Sequence, residues 1–522
     1  MKRNVNQLKA GAILSYIQMA ASIIIGLIYT PIMLKLLGKN EYGLYNTVSS
    51  TISMLSVLSL GFSSGYIRFY SKYKSEDKET EIARLNGLYI LVFCGIGIIA
   101  LCCGMYLSFN LQIVFDTGLT ESEYATAKVL MLLLTFNIAI SFPASVFQTI
   151  IAANERFIIL KGLAALKTIV TPLMTLPLLL LGYRSIAMVS VTVIVSLLVD
   201  VAYLIYAKCV LKSKFIIKGI EWNLLRRIAT FSAFIALNVI IDQINWNVDK
   251  LLLGRYQGTA SVAVYAIGFS LYSYYQLLST SISGVFTPRI HRIINEAADD
   301  EPTRNAQLTN LFTRVGRIQY IILALAGSGV VFFGKAFIRY WAGDGYDESY
   351  AVALLLILPA SIALIQNLGI EIQRAENKHQ FRSIAYAIMA CFNLIASIFL
   401  CQLYGATGAA IGTAAALIIA NGFIMNIYYH KRCGINVLYF WKNILRMSCG
   451  LIPPIIVGIV MSRMTFFDSF IGLIIGIILY TIVYMISMWT LGINDYEKEL
   501  FRKMIKKIPI PQRRKKKDGI ND

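Results

Sequence analysis

Long runs of uncharged, mostly apolar residues constrain the fold of this chain more than any other feature. Examples are residues 11–34, 42–67, 86–109, 260–288 and 469–493. Each is long enough to cross a bilayer as a helix, which takes about 20 residues. Charged residues make up only 15% of the sequence, whereas about a quarter of a soluble domain is charged. We therefore expect an all-α membrane protein with about fourteen transmembrane helices.

The distribution of basic residues predicts how the chain crosses the membrane. The sequence holds 48 Lys and Arg against 28 Asp and Glu, a net charge of +20. With the N-terminus inside, most of these cations fall in cytoplasmic segments. Residues 208–227 contain six of them, and residues 110–123, on the opposite side, contain none. This asymmetry is the positive-inside pattern, and an even number of spans then places both ends in the cytoplasm.

The last segment, residues 494–522, is expected to be a basic cytoplasmic tail. Its basic run at residues 513–517 is of a type that binds nucleic acid, but directly after a membrane domain it is expected to contact anionic lipid headgroups. Residues 496–508 place apolar side chains at helical spacing opposite several lysines, which indicates a surface helix on the inner leaflet. The expected partners are therefore membrane lipids and not nucleic acid.

Motifs for metal, cofactor or nucleotide chemistry are missing from the sequence. The eight cysteines include no CxxC pair, so neither a disulfide framework nor a metal site is indicated. His291, His379 and His430 are too far apart in sequence to suggest a metal site. No GxxxxGK loop followed by Ser or Thr is present to bind ATP. We expect no metal, no cofactor and no catalytic residues.

The two halves of the chain resemble each other. Leu37 and Gly38, which close the first span, match Leu253 and Gly254, which close the seventh. Further pairs follow in the same order: Tyr45 with Tyr265, residues 64–65 with 283–284, 153–156 with 375–378, and 182–187 with 405–410. Duplicated halves are common in transporters, with the substrate site between them.

We therefore expect two pseudo-symmetric six-helix lobes and a pair of additional spans. The N-lobe covers residues 1–215 and the C-lobe residues 216–435. Two C-terminal helices follow in residues 436–493. Because six is even, the two lobes have the same orientation in the membrane and are related by an axis along the membrane normal.

Several diffuse motifs resemble a known family. They are residues 28–31 (Ile-Tyr-Thr-Pro) and 41–45 (Glu-Tyr-Gly-Leu-Tyr) around Leu37 and Gly38, and residues 249–254 followed by Tyr265. The expected arrangement of two six-span lobes and two additional spans fits the same family. In these features the chain is similar to the Wzx-type oligosaccharide flippases of the multidrug/oligosaccharidyl-lipid/polysaccharide exporter superfamily.

The resemblance implies a V-shaped pair of helical bundles in the bacterial cytoplasmic membrane. Such a protein moves undecaprenyl-diphosphate-linked oligosaccharide units to the outer leaflet for polysaccharide biosynthesis. Partners implied by this role are the lipid-linked oligosaccharide itself, a polysaccharide polymerase and glycosyltransferases.

The seventh span carries a polar stripe. Asn238, Asp242, Asn245 and Asp249 recur at spacings of four, three and four, so they share one helix face. A charge at mid-bilayer costs about 2.5 to 3.5 kcal/mol, and we expect the stripe to line the cleft between the lobes. Alternatively, Asp249 and Lys250 mark the membrane edge, and the asparagines join helices by hydrogen bonds.

Two further groups are candidates for substrate contact. Tyr272, Tyr275 and Gln276, in the next span, suit stacking on sugars and hydrogen bonding to hydroxyls, although tyrosines also form interfacial belts. Lys167 and Asp200 lie at similar depth in spans five and six. They form either a satisfied ion pair or a Lys that attracts a diphosphate beside an Asp that exchanges a proton.

Four arginines are expected where a lipid diphosphate would first be met, at cytoplasmic ends of spans: Arg68, Arg289, Arg314 and Arg317. Charge-assisted hydrogen bonds from paired arginines would hold a diphosphate there. The positive-inside pattern alone also accounts for arginines at these positions.

Two other functions compete with a flippase. An ion-coupled exporter of small cations or drugs would need anionic groups in its cleft and usually has twelve spans. A membrane polymerase or glycosyltransferase would need a sizeable catalytic loop, and the loops on the outer side are short.

Overall fold

The computed structural model describes residues 7–115, 119–219, 222–297, 299–376 and 378–506. Within these ranges the chain is almost entirely helical and contains no strand. The α-helices are α1 (Gln7–Leu37), α2 (Lys39–Ser53), α3 (Phe62–Ser75), α4 (Glu79–Phe109), α5 (Glu121–Ala153), α6 (Phe157–Leu180), α7 (Arg184–Ile205), α8 (Trp222–Gln243), α9 (Asp249–Tyr256), α10 (Thr259–Ser283), α11 (Thr287–Glu296), α12 (Glu301–Ala342), α13 (Glu348–Ile365), α14 (Leu368–Ala375), α15 (His379–Leu417), α16 (Met425–Arg432), α17 (Val437–Ser448), α18 (Ile452–Ser462), α19 (Phe470–Ser487) and α20 (Asp495–Lys506).

Local sequence explains where several of these helices begin. Thr120 and Glu123 form a capping box at the start of α5, with reciprocal hydrogen bonds between side chain and backbone. Asp300 caps α12 by accepting from the Thr303 N–H at 3.1 Å. Hydrogen bonds from the Thr303 side chain and backbone hold the pKa of the Asp300 carboxyl below its usual value. Such caps satisfy backbone donors that have no partner within the helix.

The helices are those of a multi-pass membrane protein. In the described ranges, 11 helices are long and apolar enough to cross a bilayer, or 12 if the bent pair Asn223–Thr230 and Ile235–Tyr256 is one span. Many large apolar side chains, such as Leu181, Leu403 and Leu438, are exposed on the outside of the bundle. A soluble monomer rarely exposes large contiguous apolar patches, whereas lipid tails favour them.

Buried apolar side chains pack in several clusters. One cluster includes Tyr66, Phe93 and Ile150 from the first third of the chain. A second, larger cluster includes Phe312 and Phe440 from the second half of the chain and also Leu34 and Tyr42 from α1 and α2, so it joins the two halves. The last two apolar helices, α18 and α19, pack against α12 through Phe333, Met461 and Tyr480, so they belong to the same packed unit as α12.

Helices from the two halves of the chain meet at several close contacts, two of which depend on glycines in α2 and α3. In the first, the backbone of Gly43 in α2 packs directly on Thr259 at the start of α10, leaving no room for a Cβ. We call this the Gly43 contact. In the second, Gly65 in α3 packs on α8, where a Cβ would lie 3.0 Å from both Ile228 and Ser232. We call this the Gly65 contact.

The C-terminal tail is described only in part. Helix α20 covers the first section of the expected surface helix, and its carboxylate Glu497 is buried. Residues 507–508 of that expected helix, and the basic run at 513–517, lie outside the described residues.

Candidate functional site

A cavity of about 630 Å³ lies within the second half of the chain. Its walls come from α8, α10, α13, α14 and α15. Two short π-helical segments, Ile244–Val248 and Ile418–Ile424, also contribute to them. Of the described residues before 235, only Ser64 reaches it. We call it the C-half cavity; it lies inside one half of the chain, whereas the sequence predicted a cleft between halves. π-helical segments often occur at functional sites.

The polar stripe of span seven divides between the cavity and the protein interior. Asn238, Asp242 and Asn245 line the C-half cavity. Asn238 is anchored there, because its Nδ2 donates to Ser383 Oγ at 3.0 Å. The helix changes to a π-helix at Ile244, just before Asp249, which does not line the cavity.

Asp249 and Lys250 are held inside the protein behind the cavity wall. The Asp249 side chain is 2% exposed, and its Oδ2 accepts hydrogen bonds from Tyr265 and Thr413, both at 2.7 Å. Lys250 Nζ lies over the Phe269 ring, 4.3 Å from its centroid. A buried carboxylate with two hydroxyl donors stabilises the packing of α9, α10 and α15.

The aromatic residues of α10 have different roles. Tyr272 and Gln276 line the cavity, and Tyr272 stacks on Trp246 with ring centroids 5.6 Å apart. Tyr275 is turned away from it: its hydroxyl lies 2.7 Å from Ser361 Oγ and donates to Leu323 O at 3.2 Å. Tyr275 therefore joins α10 to α12 and α13 and is not available to a ligand in the cavity.

Two arginines that the sequence did not single out line the C-half cavity. Arg382 lies over the Tyr386 ring, 4.7 Å from its centroid, and Arg374 pairs with Glu371 at 2.8 Å. Among the described lining residues, Asp242 is the only carboxylate. The position of Arg382 in the sequence could have identified it, because it directly precedes the long uncharged run at residues 383–429.

Carboxamides form the largest polar group in the cavity wall. The described members are Asn238, Asn245, Gln276, Gln366, Asn367, Gln373, Asn393 and Asn421. Some are fixed by other side chains; for example, Gln366 Nε2 donates to Asn426 at 2.7 Å. Gln373 differs, because it is 1% exposed and neither of its amide atoms has a hydrogen-bond partner among the described residues. An unsatisfied buried polar group costs about 1 to 3 kcal/mol.

Lys167 and Asp200 lie outside the C-half cavity, on α6 and α7. Lys167 Nζ donates to Ser196 Oγ at 2.8 Å, and Asp200 Oδ1 accepts from Gln148 at 3.5 Å. The two charged groups interact electrostatically, but each has its own hydrogen-bond partner. They form a polar cluster in the first half of the chain that is separate from the cavity.

The four arginines predicted to meet a diphosphate do not line the cavity. Arg68 and Arg289 are exposed on α3 and α11. The Arg314 guanidinium lies 4.5 Å from the Tyr496 ring centroid. Arg317 is 4% exposed and paired with Glu497. A guanidinium that is buried and paired in this way cannot also bind a phosphate. The prediction that Arg317 meets the diphosphate is therefore wrong.

These features define a multi-pass helical membrane protein whose bundle encloses a polar cavity. The fold is similar to that of a lipid II flippase, MurJ, in an inward closed conformation. The TM-score is 0.68 at 18% identity, covering 94% of this chain and 99% of that one. At this level of identity, the similarity shows the fold alone.

Multidrug transporters share the fold more distantly. The MATE multidrug transporter DinF-BH gives a TM-score of 0.57 at 15% identity over 84% of this chain and 97% of that one. The Vibrio cholerae MATE transporter VcmN, in its bent form, gives 0.53 at 16% identity over 81% and 96%. No curated protein sequence matches the chain.

Residues 8–294 match the model of the polysaccharide biosynthesis protein family. The match covers more than half of the chain, and the chain belongs to this family. The resemblance to oligosaccharide flippases that the sequence predicted is thereby confirmed at the level of the family.

Proposed function

We propose that this protein is a secondary flippase that moves undecaprenyl-diphosphate-linked oligosaccharide from the inner to the outer leaflet of the bacterial cytoplasmic membrane. The observation that carries the proposal is the chemistry of the C-half cavity. Its wall combines carboxamides with aromatic rings, including Trp246, Tyr272 and Tyr386. Carboxamides bind sugar hydroxyls as donor and acceptor, and rings offer faces on which a sugar ring packs.

The charge of the cavity favours this substrate over a cationic drug. Arg374 and Arg382 line the cavity together with Asp242, so among the described lining residues cationic groups outnumber carboxylates. Guanidinium groups bind phosphate oxygens through paired hydrogen bonds, whereas they repel a cation. The ion-coupled exporter of small molecules is therefore the second candidate, supported by the fold shared with the multidrug transporters.

The proposed topology has fourteen spans with both ends in the cytoplasm. Gly405 lies in the middle of α15 with φ 57° and ψ −135°, which a continuous helix does not allow. Dividing the segment Gln380–Arg432 there gives two spans, and Thr259–Ser283 is a further helix of 25 residues without a charge. Added to the 12 apolar spans, these two bring the proposed number to fourteen.

Residues 1–215 and 216–435 are proposed to act as two lobes that rock against each other. In this topology the Gly43 contact lies on the outer side and the Gly65 contact on the cytoplasmic side. Both contacts rely on glycine to let helices approach closely. Alternate opening of the two contacts would expose the substrate to one leaflet at a time, and residues 436–493 would move with the C-lobe, because they pack on α12.

Substrate capture is proposed at the cytoplasmic end of the C-half cavity. Arg374 and Arg382 would hold the diphosphate, with Arg68, Arg289 and Arg314 drawing it to the membrane surface. Asn238, Asp242, Asn245, Tyr272 and Gln276 would contact the saccharide. Lys167 and Asp200, outside the cavity, are the proposed site of ion coupling, because a buried charged pair in a span is expensive and commonly functional.

The proposed function requires an enzyme before it and an enzyme after it. Glycosyltransferases must build the saccharide on its lipid at the inner leaflet, and a polysaccharide polymerase must consume it at the outer leaflet. In this account the protein is a transporter and not an enzyme: it breaks no covalent bond.

A deletion strain tests the proposal in the cell. Removing the gene should leave lipid-linked oligosaccharide on the inner leaflet and reduce the surface polysaccharide. An unchanged surface glycan would contradict the proposal. Purified protein in vesicles that moves a fluorescent cation but no glycolipid would instead favour the exporter.

A further inference from the structure

Gln373 is buried in the wall of the C-half cavity without a partner for its side chain. It is 1% exposed, and within the described residues neither its amide nitrogen nor its amide oxygen has a hydrogen bond. Gln319, which is 0% exposed, differs in part: its Nε2 donates to Ser279 and Ser283, whereas its Oε1 has no partner among the described residues. Buried polar groups are normally paired, so an unpaired carboxamide on a residue that lines a cavity indicates a ligand.

The helix that carries Gln373 presents one face to the cavity. Asn367 precedes α14, and Ile370 and Gln373 follow at intervals of three residues, so all three share that face. The Asn367 amide is already engaged, since its Nδ2 donates to Ser283 Oγ at 3.0 Å. Arg374 pairs with Glu371 through Nη1 at 2.8 Å, and its other N–H donors are assigned to the diphosphate. On this face of α14, Gln373 is the group whose hydrogen-bonding capacity is unused.

The chemistry of a carboxamide fits a sugar better than a phosphate. It offers two N–H donors and one acceptor oxygen side by side, whereas a phosphate oxygen requires donors alone. Neighbouring sugar hydroxyls each donate and accept, so the two ends of one carboxamide can bind a pair of them. Tyr386 and Tyr429 line the same cavity.

We propose that Gln373 recognises the saccharide, with its carboxamide binding two adjacent hydroxyl groups of a neutral sugar ring. The inference rests on the proposed flippase function and adds a specificity-determining residue to it. Arg374 and Arg382 bind the diphosphate, and Gln373 distinguishes a glycosylated lipid from the bare lipid diphosphate.

The test compares two lipids and two variants of the full chain in lipid nanodiscs. One lipid is a polyprenyl diphosphate carrying glucose, galactose or N-acetylglucosamine in turn; the other is the same diphosphate without sugar. Gln373→Met should weaken binding of at least one glycosylated lipid about tenfold, as expected for two lost neutral hydrogen bonds. Its affinity for the bare lipid should not change.

Thermal unfolding separates recognition from structure. Gln373→Met replaces an unpaired carboxamide with an apolar chain of similar size, so its Tm should equal or exceed that of the wild type. The matched control, Gln319→Met, removes existing hydrogen bonds, so its Tm should fall while the preference for the glycosylated lipid is kept.

The outcomes distinguish this inference from the proposed function. A Gln373→Met variant that keeps the wild-type preference, or whose Tm falls as far as that of Gln319→Met, overturns the role of Gln373. A wild type that binds every glycosylated lipid no more tightly than the bare lipid also overturns it but leaves a lipid diphosphate flippase possible. A wild type that binds neither lipid overturns the proposed function and this inference together.

Discussion

The Arg317 guanidinium and the Glu497 carboxylate form a buried two-point ion pair, with N···O distances of 2.5 and 2.7 Å. Arg317 also donates to the backbone oxygens of Asn443 and Gly492, at 3.1 and 3.2 Å. Arg317 and Glu497 are 180 positions apart in sequence. This one cluster joins α12, α17, the end of the last span and the tail helix α20, so it fixes the additional spans to the body of the protein.

We expect Glu497→Gln to destabilise the protein strongly. The substitution keeps the shape but leaves the Arg317 charge buried without a counter-ion, and breaking such a pair costs about 3 to 5 kcal/mol. Thermal unfolding of the purified protein measures the effect. Glu371→Gln is the control, because its pair with the exposed Arg374 should contribute less than about 1 kcal/mol. Equal Tm values for the two variants would refute the structural role of the Arg317–Glu497 pair.

Gly43→Ala should block closure of the Gly43 contact and reduce transport. A Cβ at this position collides with the backbone carbonyl oxygen of Thr259. The Cβ is fixed to one helix and the carbonyl belongs to another, so neither can move away easily. Gly95→Ala in α4 is the matched control, because a Cβ there meets nothing within 4 Å. Glycolipid transport in vesicles is the measurement, and transport by Gly43→Ala at the level of Gly95→Ala would show that the contact need not close tightly.

Arg382→Gln should weaken binding of a lipid diphosphate about tenfold, because it removes a charge-assisted hydrogen bond inside the C-half cavity. The comparison is Arg314→Gln, which removes a guanidinium stacked on Tyr496 outside the cavity. Binding of polyprenyl diphosphate is measured for both. If the Arg314 variant is weakened more than the Arg382 variant, the diphosphate is held at the membrane surface and not in the cavity.

Asp242→Asn should impair transport without lowering protein abundance. Asp242 lines the cavity, so its loss removes a group that contacts the saccharide and leaves the packing intact. Asp249→Ala should do the opposite. It leaves the hydroxyls of Tyr265 and Thr413 without their acceptor, at a cost of about 1 to 3 kcal/mol, and should lower abundance. Normal transport by Asp242→Asn would remove this residue from the proposed site.

The sequence predicted features that depend on local pattern. Long apolar runs predicted the helical membrane fold, and spacing placed Asn238, Asp242 and Asn245 on one face, which lines a single cavity. The same spacing failed for Asp249, because the π-helical segment Ile244–Val248 shifts the register of the face before that residue is reached.

Features that depend on tertiary packing could not be predicted from the sequence pattern. Arg317 looks like any other arginine at a span end until α20 brings Glu497 against it. Gln373 and Arg374 lie on a helix of eight residues, α14, too short to give a periodic signal. Only their position beside α15 in the folded bundle makes them part of the C-half cavity.

Translocation of a glycolipid by the purified protein tests the central claim most directly. Vesicles containing the full chain and a fluorescent polyprenyl-diphosphate-linked saccharide are probed with a lectin added outside. The account predicts that the protein moves sugar from the inner to the outer leaflet faster than protein-free vesicles do, and that Arg382→Gln slows this movement. A wild-type rate equal to that of protein-free vesicles, in vesicles that still export a fluorescent cation, would contradict the account.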